Sequence, residues 1–287
     1  MSPIAFALLA MVSWGVGDFL IQQSSRRVGI VRALFWICAI GGGLLFPFVL
    51  GDIASITARG WVLIGTAAVV MFFASLFDFE ALKDGKIAII EPVLAGELPL
   101  TIGLSVGLAR ESLTSAQQVA ILVIVVGILL AVTTHPSKAW HHRRRLFERG
   151  VIYAGLGAIG MGLTNFSVGI ASQHAPVLAS ISLIWLIIAV LSMATLLIER
   201  NTHHLADDLR RHGPLLASMA VADTMAWIFY SFATSAMYIS VANAMSESYV
   251  IIAAVLGVVV NHERLKRHQQ VGAALAFVGV IWLASIS

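Results

Sequence analysis

ESLTSAQQVA at residues 111–120 recurs as ERLKRHQQVG at residues 263–272, a shift of 152 with no gap. By the same shift Gly127-Ile128 falls on Gly279-Val280. Near the start a shift of 147 lays Gly15-Val-Gly-Asp-Phe19 on Gly162-Leu-Thr-Asn-Phe166. The second half of this 287-residue chain therefore repeats the first. The repeated unit is almost wholly apolar. With an odd number of membrane crossings in each unit, the two copies insert with opposite orientation, which places any site between them near the midplane.

Composition sets the class. Hydrophobic residues make up 59% of the chain, charged residues 11%, and mean hydropathy is +0.92. A soluble domain carries about 25% charged residues. The apolar runs have the roughly 20 residues needed to cross a bilayer, and runs this long are not the alternating strands of a barrel. The fold class expected is an all-α integral membrane protein with ten transmembrane helices as two inverted five-helix repeats. No cleavable leader is expected, since the first apolar run begins at Pro3 with no basic residue before it. The single cysteine, Cys38, lies in an apolar run and reads as a small buried residue.

Ten spans are read at about 3–22, 30–50, 60–79, 87–108, 115–134, 150–171, 177–198, 214–238, 241–260 and 268–286, with breaks where charge and turn formers collect. They divide into a first repeat at 1–134, a basic connecting loop at 135–149 and a second repeat at 150–287. Loops with odd numbers hold sixteen of the Lys and Arg residues, from Arg26 and Arg27 to Lys266 and Arg267; loops with even numbers hold Arg59 and Arg110 alone. The positive-inside rule then puts the odd loops in the cytoplasm and both termini outside. The same bias explains a sequence pI near 9.3. It argues against nucleic acid as a partner, because the charges sit on short juxtamembrane loops facing anionic lipid.

Trp14-Gly15 followed by Phe19, Ala109-Arg-Glu111-Ser-Leu113 at the end of the fourth span and Asn261-His-Glu263-Arg-Leu265 at the end of the ninth resemble the EamA-type members of the drug/metabolite transporter superfamily. The resemblance covers essentially the whole chain. That family often has Glu-Pro in its fourth helix about fourteen residues before the later Glu; here Glu97 has the spacing while a literal Glu91-Pro92 lies upstream, so both remain candidates. The resemblance implies alternating-access movement of small metabolites, often export of amino acids or related compounds, with a cavity lined by helices 1, 3, 4, 6, 8 and 9 and with helices 5 and 10 peripheral. It also implies cytoplasmic termini, opposite to the charge count.

A carboxylate within a span costs a few kcal/mol, so it faces protein or water. Asp18 lies one turn after Trp14, and the repeat places Asn165 at its equivalent in helix 6; the pair reads either as a substrate or proton site or as a bond holding the halves together. Helix 4 carries Glu91, Pro92, Glu97 and Pro99, and two prolines so close kink it and free carbonyls. Glu91 and Glu97 stand about 120° apart on a helix, so they do not both point into one cavity, and one packs against a neighbour or lies near the interface. Helix 9 groups Asn243, Ser246, Glu247 and Val250 on one face. Helix 8 groups Asp223, Trp227, Tyr230 and Thr234. The site expected is Trp14, Asp18, Glu97, Asn165, Asp223, Trp227, Asn243 and Glu247. For Trp227 and Tyr230 simple packing explains the pattern equally well.

Other features read as structural. Glu111 and Glu263 lie near helix N-termini, where the dipole favours a carboxylate. Asp78 and Glu80 read as interfacial ion-pair partners of Lys83. Gly155, Gly157, Gly160 and Gly162 read as close packing or a flexing point. His141-His142 and His203-His204 lie in loops, and no metal site or cofactor is expected. No P-loop, HExxH or GxSxG motif is present, so an enzyme is not expected. Function is thus read as secondary transport, with a small-molecule substrate, the lipid bilayer and protons as coupling ion for partners, in a monomer or homodimer of the plasma (inner) membrane. The alternative is a non-transporting membrane scaffold or lipid-processing subunit, which would keep its carboxylates satisfied inside a dry bundle.

Overall fold

The computed structural model describes residues 1–84, 93–133, 149–249, 251–252 and 266–287, with side chains described except at 82–84 and 149–150. Ten α-helices have their ends among these residues: α1 (Pro3–Val28), α2 (Ile30–Ile53), α3 (Ala58–Asp84), α4 (Glu97–Gly107), α5 (Ser115–Val132), α6 (Arg149–His174), α7 (Val177–Ile198), α8 (Leu205–Ala236), α9 (Ile239–Ser246) and α10 (Arg267–Ile286). Eight are long and apolar enough to cross a membrane; α4 and α9, at 11 and 8 residues, are not. Large apolar side chains stand exposed along them, among them Phe48, Val62, Leu122, Val190 and Phe277. Apolar surface of this extent belongs against lipid. The protein is an integral, multi-pass membrane protein.

Several boundaries differ from the sequence reading, each for a local reason. Ser24 to Arg27 continues α1 instead of breaking it. Arg26 and Arg27 occupy its last turn, where they complement the helix dipole, and the stop comes at Gly29, whose φ of 91° a residue with a Cβ disfavours. The segment 199–213, read as a loop, holds one 3₁₀ turn at Thr202–His204 and the first turns of α8. Asp207 and Asp208 sit in that first turn, where the dipole favours them, and Pro214 lies inside the helix. The 32 residues of α8 span about 48 Å at 1.5 Å each, more than the roughly 30 Å of hydrocarbon. Of helix 9, read as one span over 241–260, α9 runs to Ser246, a 3₁₀ turn follows at Glu247–Tyr249 and helix resumes at 251–252, while 250 and 253–260 lie outside the described residues.

The repeat is visible in how the helices pair. The main packing partners are α1 with α8, α3 with α6, α2 with α7 and α5 with α10. Carrying each helix to its counterpart five along turns the first pair into the second and returns the other two to themselves. The helices that carry the quoted repeat, α5 and α10, lie antiparallel: a Cβ on Gly127 would meet Ala276 N at 2.5 Å, and one on Gly279 would meet Ile124 N at 3.3 Å. Those two contacts are the same contact under the 152 shift. The repeated glutamine explains itself as well. Gln117 Oε1 accepts from Thr114 N at 3.0 Å while its Nε2 donates to Ser287 Oγ at 3.4 Å. Gln269 Oε1 accepts from Lys266 N at 3.0 Å while its Nε2 donates to Ala131 O at 3.3 Å. Each caps its own helix and ties it to the far end of the other.

Candidate functional site

The two short helices hold the centre of the site. Before α4 the chain is helical at 93–94, turns at 95–96 and resumes at Glu97. After α9 it makes a 3₁₀ turn at Glu247–Tyr249 and is helical again at 251–252. Under the 152 shift Ala95 falls on Glu247, so both copies break at the same place and each break carries a glutamate. Pro99 lies in the first turn of α4, where its missing N–H interrupts no helical bond. Glu247 sits at this break, within the stretch 241–260 read as one continuous span. Glu91 and Pro92, the other helix-four candidates, and Val250 lie outside the described residues.

The two breaks meet. The carboxyl groups of Glu97 and Glu247 lie close together on the wall of one small cavity. Asn165 Nδ2 on α6 donates to Glu247 Oε1 at 2.9 Å, and Tyr230 OH on α8 donates to the Asn165 carbonyl at 2.9 Å. Tyr230 belongs to a buried aromatic cluster. Its ring centroid lies 5.4 Å from Trp14 and 5.7 Å from Trp227, and Trp14 meets Trp227 edge-on at 5.1 Å. Trp185 on α7 adds a further edge contact to Trp227 at 6.0 Å, and its Nε1 donates to Thr224 Oγ1 at 2.9 Å. Such edge-to-face pairs add to packing energy beyond the area they bury.

Asp18 is half-buried on α1 and interacts electrostatically with Asp223, Glu97 and Glu247. Asp223 lies one turn before Trp227 on α8, close to its indole. The acidic groups thus form a chain from Asp223 through Asp18 to the glutamate pair. A small cavity, with room for about one or two water molecules, borders the pair. Its wall is Leu94, Ala95, Leu98, Ile128, Val132 and Tyr249 together with Glu97 and Glu247. Asp18, Asp223, Trp14, Asn165 and Trp227 are not in that wall. Asn243, one turn before Glu247, is fully buried, and neither polar atom of its amide has a hydrogen-bond partner. Thr234 and Ser246 turn their hydroxyls onto their own helix carbonyls.

Sequence reasoning missed three residues. Asp78 acts electrostatically on Glu97 and so belongs with the site as well as with the helix end; its position falls on Tyr230 under the 152 shift, a signal that was available. Tyr249 lines the cavity, and Trp185 extends the aromatic cluster. Glu111 does serve a helix N-terminus, but that of α9 in the other half: its Oε1 accepts from Ile239 N at 2.6 Å, and its Oε2 accepts from Ser240 N at 3.1 Å and Ser240 Oγ at 2.5 Å. Of the clustered Gly155, Gly157, Gly160 and Gly162 in α6, three take a close neighbour: Gly157 lies on the Asp78 backbone, Gly160 on Ala74 and Gly162 on Glu97 O and Leu100. Cys38 is buried, as its apolar setting implies.

Comparison with known proteins adds three findings. A model of the EamA-like transporter family matches residues 1–133 and again residues 148–285. A stretch of 133 residues is 29% identical to an uncharacterized protein of Methanocaldococcus jannaschii, covering 45% of this chain and 95% of that protein. A solved crystal structure is similar over 99% of this chain and 98% of that chain, with a TM-score of 0.75 at 15% identity, a likeness of fold.

Proposed function

This chain belongs to the EamA-like transporter family, and we propose that it works as a proton-coupled secondary transporter by alternating access. As a member of that family it is a membrane transporter of small molecules. The finer reading is export of amino acids or related compounds across the plasma membrane, by two inverted five-helix repeats at 1–134 and 150–287 that rock about the midplane. Three facts support the inverted arrangement: the antiparallel α5–α10 pair, the exchange of α1–α8 for α3–α6 and the two separate matches of one family model.

The observation that carries the mechanism is the contact of Glu97 with Glu247 where both short helices break. An ionised carboxylate only accepts hydrogen bonds. Two carboxyl groups side by side in a buried site do not both ionise, so the pair is a place to hold one proton between the halves. Discontinuous helices meeting near the midplane are how several transporter folds build a coupling site. Trp14, Asp18, Asn165, Asp223, Trp227 and Asn243 would complete the site: the acidic chain attracts cationic groups, the rings offer faces to them, and the Asn243 amide offers an unclaimed donor and acceptor.

The test is transport in proteoliposomes with an imposed pH gradient, using radiolabelled amino acids chosen by a thermal-shift screen. Asp18→Asn, Glu97→Gln, Asp223→Asn and Glu247→Gln are assayed separately. Glu247→Gln should abolish gradient-driven uptake in protein that remains monodisperse, with Glu97→Gln next. Normal transport by all four variants would make the carboxylates structural and end the proton reading.

A further inference from the structure

We infer that water and protons reach the Glu97–Glu247 pair by a route of their own, between α4 and the C-terminal end of α5, apart from the aromatic cluster. The inference rests on the reading above that the pair holds a proton. It adds where that proton comes from and which side of the pair is left for substrate.

The pair has two unlike sides. On one, Glu247 takes the Asn165 amide at 2.9 Å, the Asn165 carbonyl takes Tyr230, and Tyr230 leads into Trp14 and Trp227. These rings are 0–6% exposed and close that side to water. On the other side lies the small cavity, bounded by Ile128 and Val132 of α5 and by Tyr249. Its room for about one or two water molecules is too little for a metabolite and enough for a proton to pass by way of water. Val132 is the last residue of α5 and is half-exposed, so the cavity leads toward that end of the helix. Tyr249 is half-exposed there too and adds a hydroxyl to an otherwise aliphatic wall.

The charged groups respect the same division. Asp18, Asp78 and Tyr230 interact electrostatically with one or both glutamates, and none of them lines the cavity. Among the described residues only Glu97 and Glu247 both line the cavity and interact with the groups on the other side. A substrate lodged among the rings and Asp18 would leave the α5 side free, so the pair can change its proton while the other side is occupied. That is the geometry a coupled exchange of proton for substrate needs. It also gives α5, otherwise a packing helix at the periphery, a direct part in coupling.

Infrared spectroscopy of protein in liposomes, transferred from H₂O to D₂O buffer, tests this without knowledge of the substrate. A protonated carboxyl has a C=O stretch that shifts on deuteration, and the rate of that shift reports solvent access to the pair. The band should be present in the unaltered protein and missing from the Glu97→Gln, Glu247→Gln double variant. Its absence from the unaltered protein would overturn both the proton reading and the route. With the band in hand, Val132→Trp should slow its exchange severalfold, Val132→Ala should speed it, and Trp227→Phe should leave it unchanged. Should Val132→Trp fail to fold, Val132→Ala decides. Exchange indifferent to position 132, or altered by Trp227→Phe instead, overturns the route while leaving the proton pair standing.

Discussion

The α1–α8 and α3–α6 interfaces hold equivalent places in the repeat and are built from opposite materials. Between α1 and α8 the fill is aromatic: Phe6 lies 5.1 Å from Phe232, and Trp14 meets both Trp227 and Tyr230. Between α3 and α6 close backbone contact dominates, with one ring pair, Phe77 and Tyr153, 6.2 Å apart. A Cβ on Gly160 would lie 2.7 Å from Ala74 Cβ and 2.9 Å from Ala74 Cα, and one on Gly157 would lie 3.2 Å from the Asp78 backbone. Small residues let helices approach without any hydrophobic drive between them, which is how membrane helices commonly associate. Rings hold helices apart and present polarisable faces and polar tips. Duplication supplied two equal seams; one became a close mechanical joint and the other a surface with chemistry on it.

Three substitutions probe that contrast. Trp227→Ala should have the largest effect. It removes the ring that Trp14, Tyr230 and Trp185 all touch, so a loss of about 3–5 kcal/mol is expected, read as a fall in unfolding temperature in detergent. Gly160→Ala should come next. Its new methyl collides with the Ala74 backbone, which cannot turn aside as a side chain can, and overpacking of this kind costs about 1–3 kcal/mol. Gly17→Ala, across the aromatic seam, should cost within about 0.5 kcal/mol, because its Cβ would meet Asp223 at an ordinary 3.7 Å. Equal thermal shifts for Gly160→Ala and Gly17→Ala would mean that the two seams are alike after all.

Much of this was legible in the residues. The duplication, the membrane class and the pairing of Asp18 with Asn165 as repeat equivalents follow from spacing and hydropathy. So does the set of acidic and aromatic positions, because a carboxylate in an apolar run is costly wherever it points. The helix ends were harder. Pro214 read as a boundary and is interior to α8, since a charged first turn with Asp207 and Asp208 starts the helix nine residues earlier. Glu247 read as mid-helix because nothing in Ser246-Glu-Ser248 marks a break; the 3₁₀ turn there belongs to the packing around it. Glu111 lies near the start of α5 in the chain, yet its carboxylate serves α9, an exchange that only the folded arrangement of the two halves could reveal.

What the sequence alone determined is that this chain lives in a bilayer, is made twice over from one unit and buries carboxylates there. Those are properties of composition and of periodicity along the chain, and both survive without knowing where any helix goes. Which carboxylates touch was settled by tertiary structure. Glu97 and Glu247 are 150 positions apart and meet because two helices break at equivalent points and come together between the halves. The same holds for Asn243 left with an unclaimed amide and for Tyr230 bound to the Asn165 carbonyl. Contact between side chains depends on the distance and rotation of one helix relative to another, and no spacing within a single helix contains that information.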